Sequence, residues 1–109
     1  MRTRFFAAMV LVCMMLSQNA ATQTMAVRGA GLESCGNWTA QRNGDRTLEK
    51  GTLMVAQGSW VLGFVSALQP LTSANVDNGG LWAWIDNYCA QHPLDTIATA
   101  SFQLVQTLK

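Results

Sequence analysis

The sequence predicts an all-α domain: a short N-terminal helix, three main helices and one disulfide. Three observations carry this. Apolar residues recur every three to four positions through 47–68, 79–91 and 94–108, the period of one helix face. No alternating apolar–polar run exceeds four residues, so nothing reads as a half-buried strand. Two cysteines, Cys35 and Cys89, remain once an N-terminal leader is set aside, and a small exported domain with an even cysteine count reads as disulfide-stapled.

The leader comes first. Arg2 and Arg4 form a basic start, Phe5 to Leu16 is an unbroken apolar run, and small and polar residues follow. That is the layout of a cleaved secretory signal, and the run is too short to span the ~30 Å of a bilayer as a helix. We read residues 1–26 as the signal and 27–109 as one domain, so the expected location is periplasmic or secreted. Cys13 leaves with the signal; Val12 stands before it where a lipoprotein signal needs a small residue. The remainder carries five bases (Arg28, Arg42, Arg46, Lys50, Lys109) against six acids (Glu33, Asp45, Glu49, Asp77, Asp86, Asp95), a net charge of about −1. No basic patch survives, which argues against nucleic acid as a partner. So little charge gives weak self-repulsion, and a homodimer would cover exposed apolar surface.

Within the domain, residues 27–33 ("VRGAGLE") are glycine-rich and read as a flexible arm. Ser34 is placed to cap a short helix, "CGNWTAQR", with Trp38 facing inward. "NGD" at 43–45 signals a turn. Thr47 to Leu68 reads as the main helix, with Glu49 in the first turn where the helix dipole favours an acid. Leu53, Ala56, Trp60, Phe64, Ala67 and Leu71 fall on one face of it, and Val61, Leu62 and Val65 make it apolar nearly all round. Such a helix is central in the fold or lies in a dimer interface. Gly58 and Gly63 cost ~1 kcal/mol each inside a helix, and close approach of another helix would explain them. Pro70 ends the helix and a linker follows. Asp77 or Asn78 caps the next helix, about 79–91, on which Leu81, Ile85, Tyr88 and Cys89 share a face and Trp82 and Asp86 share another. Pro93 breaks it after His92. The last helix starts near Leu94, with Leu94, Ile97, Ala98, Phe102, Val105 and Leu108 inward and Gln103, Gln106 and Lys109 in water.

The only histidine, His92, lies three residues after Cys89. A catalytic cysteine needs an exposed, electropositive setting and a base within reach. Cys89 instead falls on an inward helix face with Cys35 free to pair, and that pair would restrict the unfolded chain by ~4 kcal/mol. Zinc would need a fourth ligand beside Cys35, Cys89 and His92, and the spacing fits no zinc pattern. We expect no metal, no cofactor, no small-molecule substrate and no enzymatic activity. His92 reads as a helix-terminal residue, with a pH-sensing role as the alternative. Trp82 and Trp84, two apart, cannot share a helix face, so at least one is expected at the surface or in an interface. Exposed aromatics are the usual anchors of protein-binding sites.

Three stretches carry a family resemblance: "SCGNW", "GSWVLGFVSAL" and "WIDNYCAQHP". Together they resemble the HdeA/HdeB-like periplasmic acid-stress chaperones over residues 34–109, with an insertion near 43–58. Charge is sparser here than in that family. The resemblance implies a folded dimer at neutral pH that separates in acid as carboxylates protonate, exposing apolar surface to unfolding client proteins. Cys35 and Cys89 would hold the loosened chain together, and Leu53 to Leu68 would supply dimer and client surface. Trp60, Phe64, Trp82 and Trp84 are the candidate binding aromatics. Asp77, Asp86, Asp95 and His92 are the candidate acid sensors. A second stretch, "YCAQHPLDTIATASFQLVQTL", is similar to the end of Tai-type immunity proteins. It implies instead an inhibitor of a secreted cell-wall amidase effector, with Trp82, Trp84 or the 69–80 loop plugging the partner's cleft.

Overall fold

A computed structural model of the chain describes residues 26–68 and 75–109. All but the last residue of the expected signal at 1–26, the stop at Pro70, Leu71 and the first half of the 69–80 loop therefore lie outside the described residues. Among the described residues there are four helices: α1 (Cys35–Arg42), α2 (Leu48–Leu68), α3 (Asn78–Gln91) and α4 (Ile97–Thr107). A 3-10 turn, Gly29–Leu32, precedes them. Among the described residues the only extended pairing is one antiparallel bridge, Ser34 with Thr96. The class is all-α, one short helix and three long ones, closed by the Cys35–Cys89 disulfide.

Each helix starts on a side-chain oxygen that takes up an orphan backbone N–H. Ser34 Oγ accepts from Asn37 at 3.1 Å and Asp77 Oδ1 from Gly80 at 2.8 Å, as the sequence indicates. Thr47 Oγ1 accepts from Lys50 at 3.2 Å, and Thr96 Oγ1 from Thr99 at 3.1 Å. Each cap contributes ~1 kcal/mol. Gly44 turns the chain between α1 and α2 at φ +83°, a region closed to most L-residues.

The core lies where all four helices meet. Ile85, Ile97, Leu104, Val61 and Val105 are fully enclosed there together with both cysteines. Burying each aliphatic side chain contributes ~1.5–3 kcal/mol. The disulfide joins the first residue of α1 to the last turn of α3, and backbone bonds reinforce the same corner. Cys35 N–H donates to Asp95 O at 2.7 Å, Gly36 to Pro93 O at 2.9 Å and Ile97 to Glu33 O at 2.9 Å.

Several expectations are corrected. The arm at 27–33 is seated, not loose: its 3-10 turn lies under the Trp60 indole, whose Nε1–H donates to Arg28 O at 2.8 Å. Gly31 is buried there because a Cβ would stand 2.2 Å from the Trp60 ring. Helix α2 buries Gln57, Gly58, Val61 and Val65, a stripe one step round from the one expected; Ala56 and Ala67 face outward and Leu53, Trp60 and Phe64 are half-buried. A helix apolar on all sides carries no phase signal, so its neighbours choose the face. Gly58 does permit a close approach, by the Trp82 ring 3.1 Å from where its Cβ would be, but a Cβ at Gly63 would point into open space among the described residues. Helix α4 begins at Ile97, three residues later than expected. Leu94 is 94% exposed and Phe102 44% exposed, while Ala100, Ser101 and Leu104 take the inward places. Asp95 immediately precedes the α4 cap, Thr96.

Candidate functional site

Helix α2 is the unusual element. Its 21 residues include a window of mean hydropathy 1.4 of which only 22% is buried, long and apolar enough by length and composition to cross a membrane. Leu48 and Val55 stand largely in solvent. Between the outer side of α2 and helix α1 runs a cleft of about 440 Å³ lined chiefly by Trp38, Arg46, Met54, Val55, Leu62 and Trp82. Two contacts form its floor. The Trp82 ring rests on Gly58, and the Trp38 and Trp82 rings lie 5.8 Å apart at 47°.

One polar knot braces this floor. Asp86 Oδ1 accepts from the Trp38 indole N–H at 2.7 Å and from Arg42 Nε at 2.6 Å, while Oδ2 accepts from a terminal Arg42 nitrogen at 2.6 Å. The Arg42 guanidinium also sits 5.7 Å from the Trp38 ring centre, a cation–π contact. Trp38 and Arg42 are four apart on α1, so the helix period presents both to α3.

The candidate aromatics do not make one surface. Trp82 belongs to the cleft. Trp60 and Phe64 stack on each other at 5.3 Å on another side of α2, where Phe64 lines a smaller groove with Val27 and Phe102. Trp84 stacks on Tyr88 at 5.4 Å, and Tyr88 on His92 at 4.3 Å, a ladder of i, i+4 pairs along α3.

The candidate acid sensors are likewise dispersed. Asp77 caps α3, Asp86 holds the knot, and Asp95 Oδ2 accepts the Tyr88 hydroxyl at 2.6 Å. That hydrogen bond, with burial and the nearby negative charge, raises the Tyr88 pKa above the ordinary 10.0. His92 is the C-cap of α3, its Nδ1 3.0 Å from Tyr88 O, the helix-terminal place expected of it.

Sequence reasoning missed Arg42 and Arg46 of the cleft and covered Met54 and Val55 only within the span Leu53 to Leu68. It also missed Glu33, whose Oε2 accepts from Asn37 at 2.7 Å and from the buried Gln57 amide at 2.6 Å, tying the N-terminal segment to α1 and α2. Among the described residues Gln57 Oε1 has no hydrogen-bond partner. The i, i+4 spacing of Trp38 and Arg42 was the one available signal for the knot. Among the described residues no three His, Cys, Asp or Glu side chains gather as a metal site. No protein-family model, curated protein or solved structure matches the chain.

Proposed function

We propose that this is an exported, non-enzymatic helical protein that binds other proteins through the outward apolar side of α2, in the manner of an acid-stress chaperone. The observation that carries the reading is α2 itself: a strongly apolar helix left mostly unburied by its own domain. Burial of apolar surface is the general driving force of association, and so large an uncovered share asks for a partner, a second copy at rest or an unfolding client. The disulfide supports the reading because acid leaves it intact, so the chain stays compact about the Cys35–Cys89 corner.

The acid response runs through acceptors. Protonated, Asp86 no longer holds Arg42 as an ion pair, and the brace between α1 and α3 weakens beside the cleft. Asp77 as cap and Asp95 as acceptor for Tyr88 weaken in the same direction. Glu33, holding Asn37 and Gln57, joins them.

The inhibitor reading ranks second. In it Trp82, Trp84 or the 69–80 loop would plug the partner's cleft; both tryptophans are half-buried in contacts within the domain, and residues 69–74 of the loop lie outside the described residues. Light scattering against pH, with suppression of client aggregation at pH 2–3, tests the proposal. A dimer at pH 7 that separates and protects clients in acid supports it; a chain that stays rigid and leaves aggregation unchanged refutes it.

A further inference from the structure

We propose that the cleft between α1 and α2 is a binding site for a free single-chain anionic amphiphile, an alkyl carboxylate of fatty-acid type. This goes beyond the protein-binding reading and does not depend on it. Shape gives the first reason. The lining of the cleft follows α2 from Gly51 to Leu62, a run of about 16 Å at the helical rise, the length of a dodecyl chain. Its volume of about 440 Å³ falls within the ~300–1,000 Å³ typical of ligand sites.

Chemistry gives the second. The wall is Met54, Val55, Leu62 and Trp82, which offer a tail apolar contact, with the Ser59 hydroxyl beside them and Trp38, only 2% exposed, beneath. Met54 adds an adaptable surface. Gly51 and Gly58 keep side chains out of the channel.

Charge selects the head group. Among the described residues two arginines line the cleft and no acid does. Arg42 is already committed to Asp86, which lies behind it. Arg46 makes no ion pair or side-chain hydrogen bond among the described residues, and it stands at the end where the lining reaches Gly51. Asp45 and Glu49 flank Arg46 in the chain without lining the cleft. A carboxylate at Arg46 with its tail laid toward Leu62 satisfies both ends of the site.

The test uses the disulfide-intact chain and dodecanoate below its micelle concentration, followed by calorimetry and tryptophan emission. The structure predicts one dodecanoate per chain, with dodecyltrimethylammonium, the same tail under the opposite charge, at least about fivefold weaker. Arg46→Glu, at an exposed position, should weaken dodecanoate about tenfold and reverse the preference. Ser59→Trp, from an exposed position on the lining, should fill the channel and abolish binding of both. Equal affinity for the two surfactants, or an Arg46→Glu chain that binds dodecanoate unchanged, overturns the proposal. So does binding to phosphatidylglycerol vesicles with none to dodecanoate, which makes the cleft a bilayer surface. Dodecanoate binding only after a dimer dissociates also overturns it, because a second copy then occupies the cleft.

Discussion

Asp86 offers the sharpest test of how the domain is braced. Replacing it with alanine removes three accepted hydrogen bonds at once. The Trp38 indole N–H, on a residue only 2% exposed, is left with no acceptor, a cost of ~1–2 kcal/mol. The ion pair is worth less: the two side chains are 30% and 36% exposed, so screening holds its share to ~0.5–1 kcal/mol. Together Asp86→Ala should lose about 1.5–3 kcal/mol. Asp86→Asn keeps an oxygen for the indole but gives up the charge and, at Oδ2, the acceptor for the terminal Arg42 nitrogen, so it should lose about 1 kcal/mol. Urea unfolding with the disulfide intact reads both; at an m-value near ~1 kcal/mol/M the alanine midpoint should fall by ~1.5–3 M and the asparagine midpoint by ~1 M. High salt should narrow the gap between wild type and Asp86→Asn, because only the charge term is screened. If asparagine is as damaging as alanine, or alanine is within ~0.5 kcal/mol of wild type, the indole bond is not the strong member of the knot and the reasoning fails.

Two further outcomes are expected. Tyr88 is the chain's single tyrosine, so ultraviolet difference titration reads it alone; its midpoint should lie above 10.0, and Asp95→Asn should lower it. Because the folded state holds this proton more tightly, the linked stability is fully present below pH 10 and is lost as the pH rises through the folded value; a midpoint at or below 10.0 refutes this. Gly31→Ala should displace the Trp60 ring and cost ~2–3 kcal/mol, seen as a shift in tryptophan emission and a lower melting temperature, whereas an unchanged spectrum would show the turn does not seat on Trp60.

Local chemistry was the legible part of this chain. Ser34 and Asp77 announce their helices because a side-chain oxygen before a helical run has one good use, and Trp38 points inward as its spacing requires. The Cys35–Cys89 pair follows from counting. What depended on distant neighbours was not legible. The apolar circumference of α2 hides its phase, and the true inward stripe includes Gln57, a polar residue held by Glu33 from 24 positions away. Leu94 looks like a helix start after Pro93, yet Thr96 makes the cap, and the Ser34–Thr96 bridge holds that corner extended. Glycines at 27–33 read as looseness; Gly31 is there because the Trp60 ring leaves no room for a side chain. The cleft joins α1, α2 and a ring from α3, so no single segment could display it.

The Cys35–Cys89 bond makes a covalent ring whose circumference contains α2 in full. Should α2 lift from Val61 and Val65, both of its ends remain leashed to the corner built by Glu33, Cys35, Pro93 and Asp95. Its return is then a unimolecular event, governed by an effective concentration on the order of millimolar and indifferent to how dilute the protein is. An apolar helix released in this way stays within reach of its own core, and that proximity competes at every moment with any intermolecular contact it makes.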